Sequence, residues 1–169
     1  MTDYKKKAAL FLASQGITLF GSSVVQFAIV WYVALQTSSG IWVSLLTVAA
    51  YVPQFIISFF SGVWADRFPR KRLIILADTL IAVATLALVL LMPYIGEGTP
   101  LLTALVIISV IRSLGTGIQT PAVNSAIPLI VPEDKLMKFN GVNATVQSVV
   151  QFAAPAAAGA VLSVATMRE

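Results

Sequence analysis

Residues 8–65 read AALFLASQGITLFGSSVVQFAIVWYVALQTSSGIWVSLLTVAAYVPQFIISFFSGVWA, a run of 58 residues without Asp, Glu, Lys or Arg. A helix needs only about 20 apolar residues to cross the hydrocarbon core of a bilayer. The run is therefore long enough for two membrane-spanning helices, and the polar segment 36–40 divides it. The sequence predicts a first span over 8–35 and a second over 41–64.

The composition of the whole chain agrees with a membrane protein. Of its 169 residues, 58% are hydrophobic and 11% are charged, and the mean hydropathy is +0.90. A soluble domain has about 25% charged residues. The few Lys and Arg are scattered, whereas a nucleic-acid groove needs them clustered, so we expect no nucleic-acid partner. The chain has no Cys or His, which excludes disulfides, Cys/His zinc sites, haem thiolates and triads built on Cys or His. We expect an all-α integral membrane protein, not an enzyme, with no catalytic residues, metal site or cofactor.

Three further apolar stretches follow the basic segment 67–72. Their predicted spans are 73–92, 101–127 and 142–165. Residues 93–100 have the composition of a turn, and 131–135 that of a loop. Pro121 and Pro128 are expected to bend or end the fourth span. A cleaved signal peptide after Lys5–Lys7 is disfavoured because the apolar run far exceeds the usual length. We expect residues 1–169 to form one partial N-terminal membrane domain.

The basic residues predict the orientation of the spans. Alternate connections place nine Lys and Arg on one side and only Arg168 on the other. The nine are Lys5, Lys6, Lys7, Arg67, Arg70, Lys71, Arg72, Lys135 and Lys138. Since basic residues accumulate in cytoplasmic loops, we predict a cytoplasmic N-terminus in the cell (inner) membrane.

One charged residue is predicted near the middle of the membrane. Arg112 lies about 16 Å below the outer surface at 1.5 Å per residue, where a charge costs at least about 2.5–3.5 kcal/mol. It must therefore face protein or a water-filled cavity. Two interpretations stay open. Arg112 either pairs with carbonyls or with an acid in a missing helix, or it lines a cavity and contacts substrate or governs protonation.

Asp78 is the only acid well inside a predicted span. The same rise places it roughly 9 Å from the cytoplasmic end and about 12 Å from the depth of Arg112, too far for a direct ion pair. Gln119, at about 10 Å, matches its depth better, and Arg70 or Arg72 is an alternative partner. Asp78 is a candidate for proton coupling, with a purely structural role as the alternative.

Bulky amides in the other spans indicate polar faces. Gln26, Gln54 and Gln151 lie in spans 1, 2 and 5, where an amide is costly in lipid. Together with Arg112 they are candidates to line a shared central cavity, although ordinary helix contacts also use polar residues. Span 3 carries few polar residues and is expected to lie outside that ring.

The segment Gly62-Val63-Trp64-Ala65-Asp66-Arg67-Phe68-Pro69-Arg70-Lys71 resembles the G-x-x-x-D-R-x-G-R-K signature of the major facilitator superfamily. The matching residues are Gly62, Asp66, Arg67, Arg70 and Lys71, and Pro69 replaces a usual Gly, which should stiffen the turn. The resemblance implies a conformational latch in which the carboxylate of Asp66 faces a helix N-terminus in the second half of the transporter. Alternatively, the basic residues only set the topology and bind anionic lipid.

Three shorter segments are similar to the same family. Residues 112–117 resemble its span-4 signature with an intramembrane Arg. Residues 154–159 resemble the span-5 G-P-x-x-G-G signature of antiporters, in which Pro155 and Gly159 match as a helix-packing motif. Residues 131–136 look like the macrolide-efflux branch.

The resemblance implies a secondary transporter that exports small amphipathic compounds, a drug for example, in exchange for protons. Family members have twelve spans in two halves, so five spans are expected to be an N-terminal fragment. Its expected partners are a small lipophilic substrate, the lipid bilayer and the C-terminal half. The alternative is a stand-alone oligomeric membrane scaffold without transport activity.

Overall fold

The computed structural model describes the backbone of residues 2–166 and the side chains of residues 4–163. Five α-helices follow one another and no strand occurs among these residues, as predicted. The helices are α1 (Thr2–Thr37), α2 (Gly40–Arg67), α3 (Arg70–Leu91), α4 (Thr99–Ile130) and α5 (Leu136–Thr166). Each has the length and apolar composition of a membrane span. Even α3, with 22 residues, is about 33 Å long, enough for a hydrocarbon core of about 30 Å.

The break between α1 and α2 falls inside the polar segment that the sequence indicated. Ser38 adopts a left-handed conformation with φ of 47°, which ends the helix in the way a C-terminal cap does. The Thr37 hydroxyl donates to the Val33 carbonyl at 2.8 Å and accepts from the Ser39 amide at 3.2 Å. The backbone groups of this turn are therefore partly satisfied by one side chain.

The connection between α2 and α3 is only Phe68 and Pro69. The basic residues expected in a loop instead sit on the two helix ends, with Arg67 last in α2 and Arg70 first in α3. The helices extend beyond the predicted apolar spans because long basic side chains can reach water or lipid headgroups while their backbone stays helical. The Pro69 carbonyl accepts from the Arg72 amide at 2.8 Å and so begins α3.

The helix α4 begins after Gly98, whose φ of 82° favours glycine. It continues through both Pro121 and Pro128, so neither proline ends the helix. Pro121 has no N–H to donate to the carbonyl of Gly117 four residues earlier. Instead, the Ser61 hydroxyl of α2 lies 2.7 Å from that carbonyl oxygen, with its own-helix Ser58 carbonyl at 3.0 Å. A neighbouring serine thus replaces the missing backbone donor, as membrane helices require.

The helix α5 begins at Leu136, earlier than the predicted 142, after a single 3-10 turn over Glu133–Lys135. The exposed side chains of Asp134 and Lys135 form an ion pair of 2.9 Å in that turn. Such an exposed pair contributes little to stability.

The chain divides into two compact units. The first contains residues 1–32 and 127–169. An apolar cluster holds it together, formed by the buried side chains of Ala8, Ile127, Val131 and Phe139. Within the same unit, a Cβ added to Gly159 of α5 would lie 2.6 Å from the Trp31 ring of α1. Close contact at a small residue is the usual way in which membrane helices pack.

The second unit contains residues 33–126. Its best-buried helix is α4, which approaches its neighbours through two glycines. A Cβ at Gly115 would lie 2.6 Å from the Ile81 side chain of α3, and one at Gly117 would lie 2.8 Å from the Gln54 carbonyl oxygen of α2. In contrast, Phe55 of α2 is 64% exposed, an arrangement that suits lipid as the surroundings.

Candidate functional site

The intramembrane arginine is buried and points at α3. Arg112 is 4% exposed, and its Nη1 donates to the Thr85 hydroxyl oxygen. The Thr85 hydroxyl in turn donates to the Ile81 carbonyl of its own helix at 2.8 Å. Its proton is thereby directed at α3, and its oxygen is left to accept from the guanidinium. This polar partner offsets part of the cost of holding a charge inside the membrane.

A second polar contact joins the same two helices. The Gln119 amide donates to Asp78 Oδ1 at 2.6 Å. The depth match between these two residues, expected from the helical rise, is confirmed. Asp78 is half-buried and does not pair with Arg112. An amide donor stabilises the carboxylate by a charge-assisted hydrogen bond without neutralising it.

The two polar pairs, Thr85–Arg112 and Asp78–Gln119, share one register. Thr85 follows Asp78 by seven residues, and Arg112 precedes Gln119 by seven. Seven residues are close to two helical turns, about 10 Å, so antiparallel helices place both pairs on one interface. Gly115, between Arg112 and Gln119, supplies the close contact with α3. Sliding either helix by one residue would break both pairs.

Sequence reasoning missed Thr85 as the partner of Arg112. The partners considered for Arg112 were carbonyls and an acid in a missing helix, and span 3 was expected to lie outside the ring of spans around the cavity. The seven-residue spacing was the available signal: once Asp78 is matched to Gln119, antiparallel helices place Thr85 opposite Arg112.

The signature residues lie around the α2–α3 connection. Gly62, Asp66 and Arg67 are exposed on α2, Lys71 is exposed on α3, and Arg70 is half-buried. Asp66 makes no hydrogen bond or ion pair with the residues that the structure describes.

The amide candidates divide between the units. Gln26 of α1 is half-buried and Gln151 of α5 is exposed, both in the first unit. Gln54, in the second unit, is half-buried, and its backbone packs against Gly117. Pro155 lies inside α5, one turn before Gly159. Among residues 4–163, no group of three or more Asp and Glu is arranged to hold a metal ion.

Comparison with known proteins identifies the family of the chain. The model of the Major Facilitator Superfamily matches residues 11–168. The chain belongs to the major facilitator superfamily. Macrolide efflux protein A of Streptococcus pyogenes is 33% identical over 162 residues, which are 96% of this chain and 39% of that protein. Macrolide efflux protein A of Enterococcus faecalis is 34% identical over 119 residues, 70% of this chain and 36% of that protein.

The match confirms the predicted resemblance to the macrolide-efflux branch of the major facilitator superfamily. The chain spans about two fifths of the length of the Streptococcus pyogenes relative. No solved structure gives a significant match. The chain is thus a multi-span membrane protein of a transporter family, and its residues correspond to the N-terminal portion. Proteins of this superfamily are generally transporters, not enzymes.

Proposed function

We propose that this chain is the N-terminal part of a secondary exporter that moves small amphipathic compounds, macrolides among them, out of the cell in exchange for protons. Membership of the superfamily and the similarity to macrolide efflux proteins support this function. In such transporters the binding site lies between two sets of helices near the middle of the membrane. The proposed partners are therefore the lipophilic substrate, the bilayer and a C-terminal set of helices.

The observation that carries the proposal is the buried charge of Arg112. It is the fourteenth residue of the 32-residue α4, so about 20 Å of helix separates it from the nearer end. A charge at this depth is usually retained for function. We propose that the Arg112 guanidinium contacts substrate or governs protonation. Gln26, Gln54 and Gln151 are proposed as further substrate-contacting residues.

Proton coupling is proposed for Asp78. It is a carboxylate inside α3 whose Oδ1 accepts one amide hydrogen bond from Gln119. A carboxylate held by a neutral donor can take up and release a proton without breaking an ion pair. Gln119 would orient the carboxylate in both states, because an amide can donate to it or accept from it.

The latch is proposed for Gly62, Asp66, Arg67, Arg70 and Lys71 at the cytoplasmic membrane surface. The exposed carboxylate of Asp66 supports this role because it has no partner among the described residues. The N-terminus of a helix in the C-terminal part would attract it. We assign Pro155 and Gly159 to helix packing in α5, which the close approach of Gly159 to Trp31 supports.

The test uses the complete open reading frame that contains residues 1–169. It is expressed in the cell (inner) membrane of a macrolide-sensitive bacterium. Accumulated radiolabelled erythromycin is measured with and without a protonophore. We expect expression to lower accumulation and the protonophore to restore it. Arg112→Ala should abolish the effect at normal membrane levels, and Arg112→Lys should recover little because Lys lacks the planar fork of donors.

The control is Lys138→Ala, which removes an exposed positive charge from α5 and should export normally. Unchanged erythromycin accumulation on expression of the wild type would contradict the function, and a stable oligomer without export would favour a scaffold. Export that persists with the protonophore would contradict proton coupling but would leave the proposed export function intact.

A further inference from the structure

We infer that Thr85 is a positioning residue for transport, which holds the Arg112 guanidinium in its working orientation from the neighbouring helix α3. This inference rests on the proposed function, since it assigns a further residue to the same site. It gives α3 a part in transport, although its sequence has few polar residues.

The first argument is the direction of the hydrogen bonds. The Thr85 hydroxyl donates to the Ile81 carbonyl at 2.8 Å, so its oxygen accepts from Arg112 Nη1. Arg112 has only donors, and the Thr85 oxygen is oriented to receive one of them. Valine at this position would have nearly the same shape but could not accept.

The second argument is that the backbone fixes the two residues opposite each other. Gly115 lies three residues after Arg112, and a Cβ there would be 3.2 Å from the Ala77 carbonyl oxygen and 2.6 Å from the Ile81 side chain. Ile81 is also the residue whose carbonyl orients Thr85. The Asp78–Gln119 pair fixes the same register about two turns away. Thr85 is thus held by packing, as a residue that positions another one needs to be.

The third argument is that the residue opposite Arg112 on α3 carries a hydroxyl and not a carboxylate. A carboxylate in place of Thr85 would neutralise the arginine, and a buried ion pair of this kind resists separation. A hydroxyl orients the guanidinium without itself contributing a negative charge. This is the arrangement expected for a charge that must act on a substrate or a proton.

The experiment measures erythromycin export per molecule of the full open reading frame product, with three single variants. Thr85→Val removes the acceptor and should lower export at least tenfold at normal membrane levels. Thr85→Ser keeps the hydroxyl and should stay within twofold of the wild type. The matched control is Thr79→Val, because Thr79 lies on the same helix but is exposed and donates only to its own Ile75 carbonyl at 2.7 Å. It should also stay within twofold.

The two conservative variants separate positioning from packing. Thr85→Val keeps the shape of the side chain without the acceptor, and Thr85→Ser keeps the acceptor without the methyl group. If Thr85→Val is not inserted, Thr85→Ala removes the same acceptor and allows the same comparison. Normal export by Thr85→Val, or equal loss in Thr85→Ser, would overturn the inference even though Arg112→Ala is inactive. Normal export by Arg112→Ala would instead overturn the proposed role of Arg112, and with it the inference.

Discussion

The contact between α2 and α4 at Gly117 provides the sharpest test of the packing. A Cβ at position 117 would overlap the Ile57 side chain and would lie 2.8 Å from the Gln54 carbonyl oxygen and 3.1 Å from its Cα. Ordinary contact begins at 3.4 Å, so the backbone oxygen is 0.6 Å too close. Ile57 can change its rotamer, but the backbone of Gln54 can yield only if α2 moves away from α4.

The expected cost of Gly117→Ala has two parts. Overpacking a close contact costs about 1–3 kcal/mol. The shift of α2 also lengthens the 2.7 Å bond from Ser61 to the Gly117 carbonyl, and interhelical hydrogen bonds in membranes contribute about 0.6 kcal/mol on average and up to about 1.7. We therefore expect a loss of roughly 2–4 kcal/mol in the free energy of unfolding.

The assay is reversible unfolding in mixed micelles by added sodium dodecyl sulfate, followed by tryptophan fluorescence. The control is Gly21→Ala in α1, where a Cβ meets nothing within 4 Å. Alanine should be neutral there or stabilise by about 0.5–1 kcal/mol. If Gly117→Ala and Gly21→Ala unfold at the same point, the close α2–α4 approach is not present in the protein.

The Ser61 hydrogen bond, the order of the spans and the latch can each be tested by a separate change. Ser61→Ala should lower the free energy of unfolding by about 0.6–1.7 kcal/mol in that assay, because the Gly117 carbonyl loses its donor. The control is Ser58→Ala, since the Ser58 hydroxyl donates to its own helix. An equal loss in both variants would contradict the hydrogen bond between Ser61 and Gly117. Reporter fusions at Gly98 and Glu133 should report opposite sides of the membrane, outside and inside respectively, as the basic residues predict; the same side for both would contradict the span order. Asp66→Asn should impair export much more than membrane insertion. Unimpaired export would contradict the proposed latch.

The sequence alone predicted the five helices and part of the polar interface. Five spans follow from the absence of charge over lengths that a bilayer requires. The Asp78–Gln119 contact followed from depth, because the rise of a helix is fixed. The helix ends were predicted less well, since basic residues such as Arg67 and Arg70 look like a loop although the helical backbone continues through them.

The contacts that depend on three dimensions could not be predicted. Pro121 was expected to bend or end α4, but its effect depends on the Ser61 hydroxyl, which lies 56 positions from Gly117 along the chain. Small residues such as Gly115 and Gly117 indicate that helices approach, but not which helix fills the space. Their partners are decided by packing, and no local pattern contains that information.

The most direct test of the transport account is erythromycin movement in proteoliposomes that contain the purified product of the complete open reading frame. An imposed pH gradient should drive accumulation of radiolabelled erythromycin by the wild type. Collapse of the gradient should abolish accumulation, as should Arg112→Ala, while Thr79→Val should behave as the wild type. Accumulation that is independent of the gradient, or that is unchanged in Arg112→Ala, would contradict proton-driven export through this buried arginine.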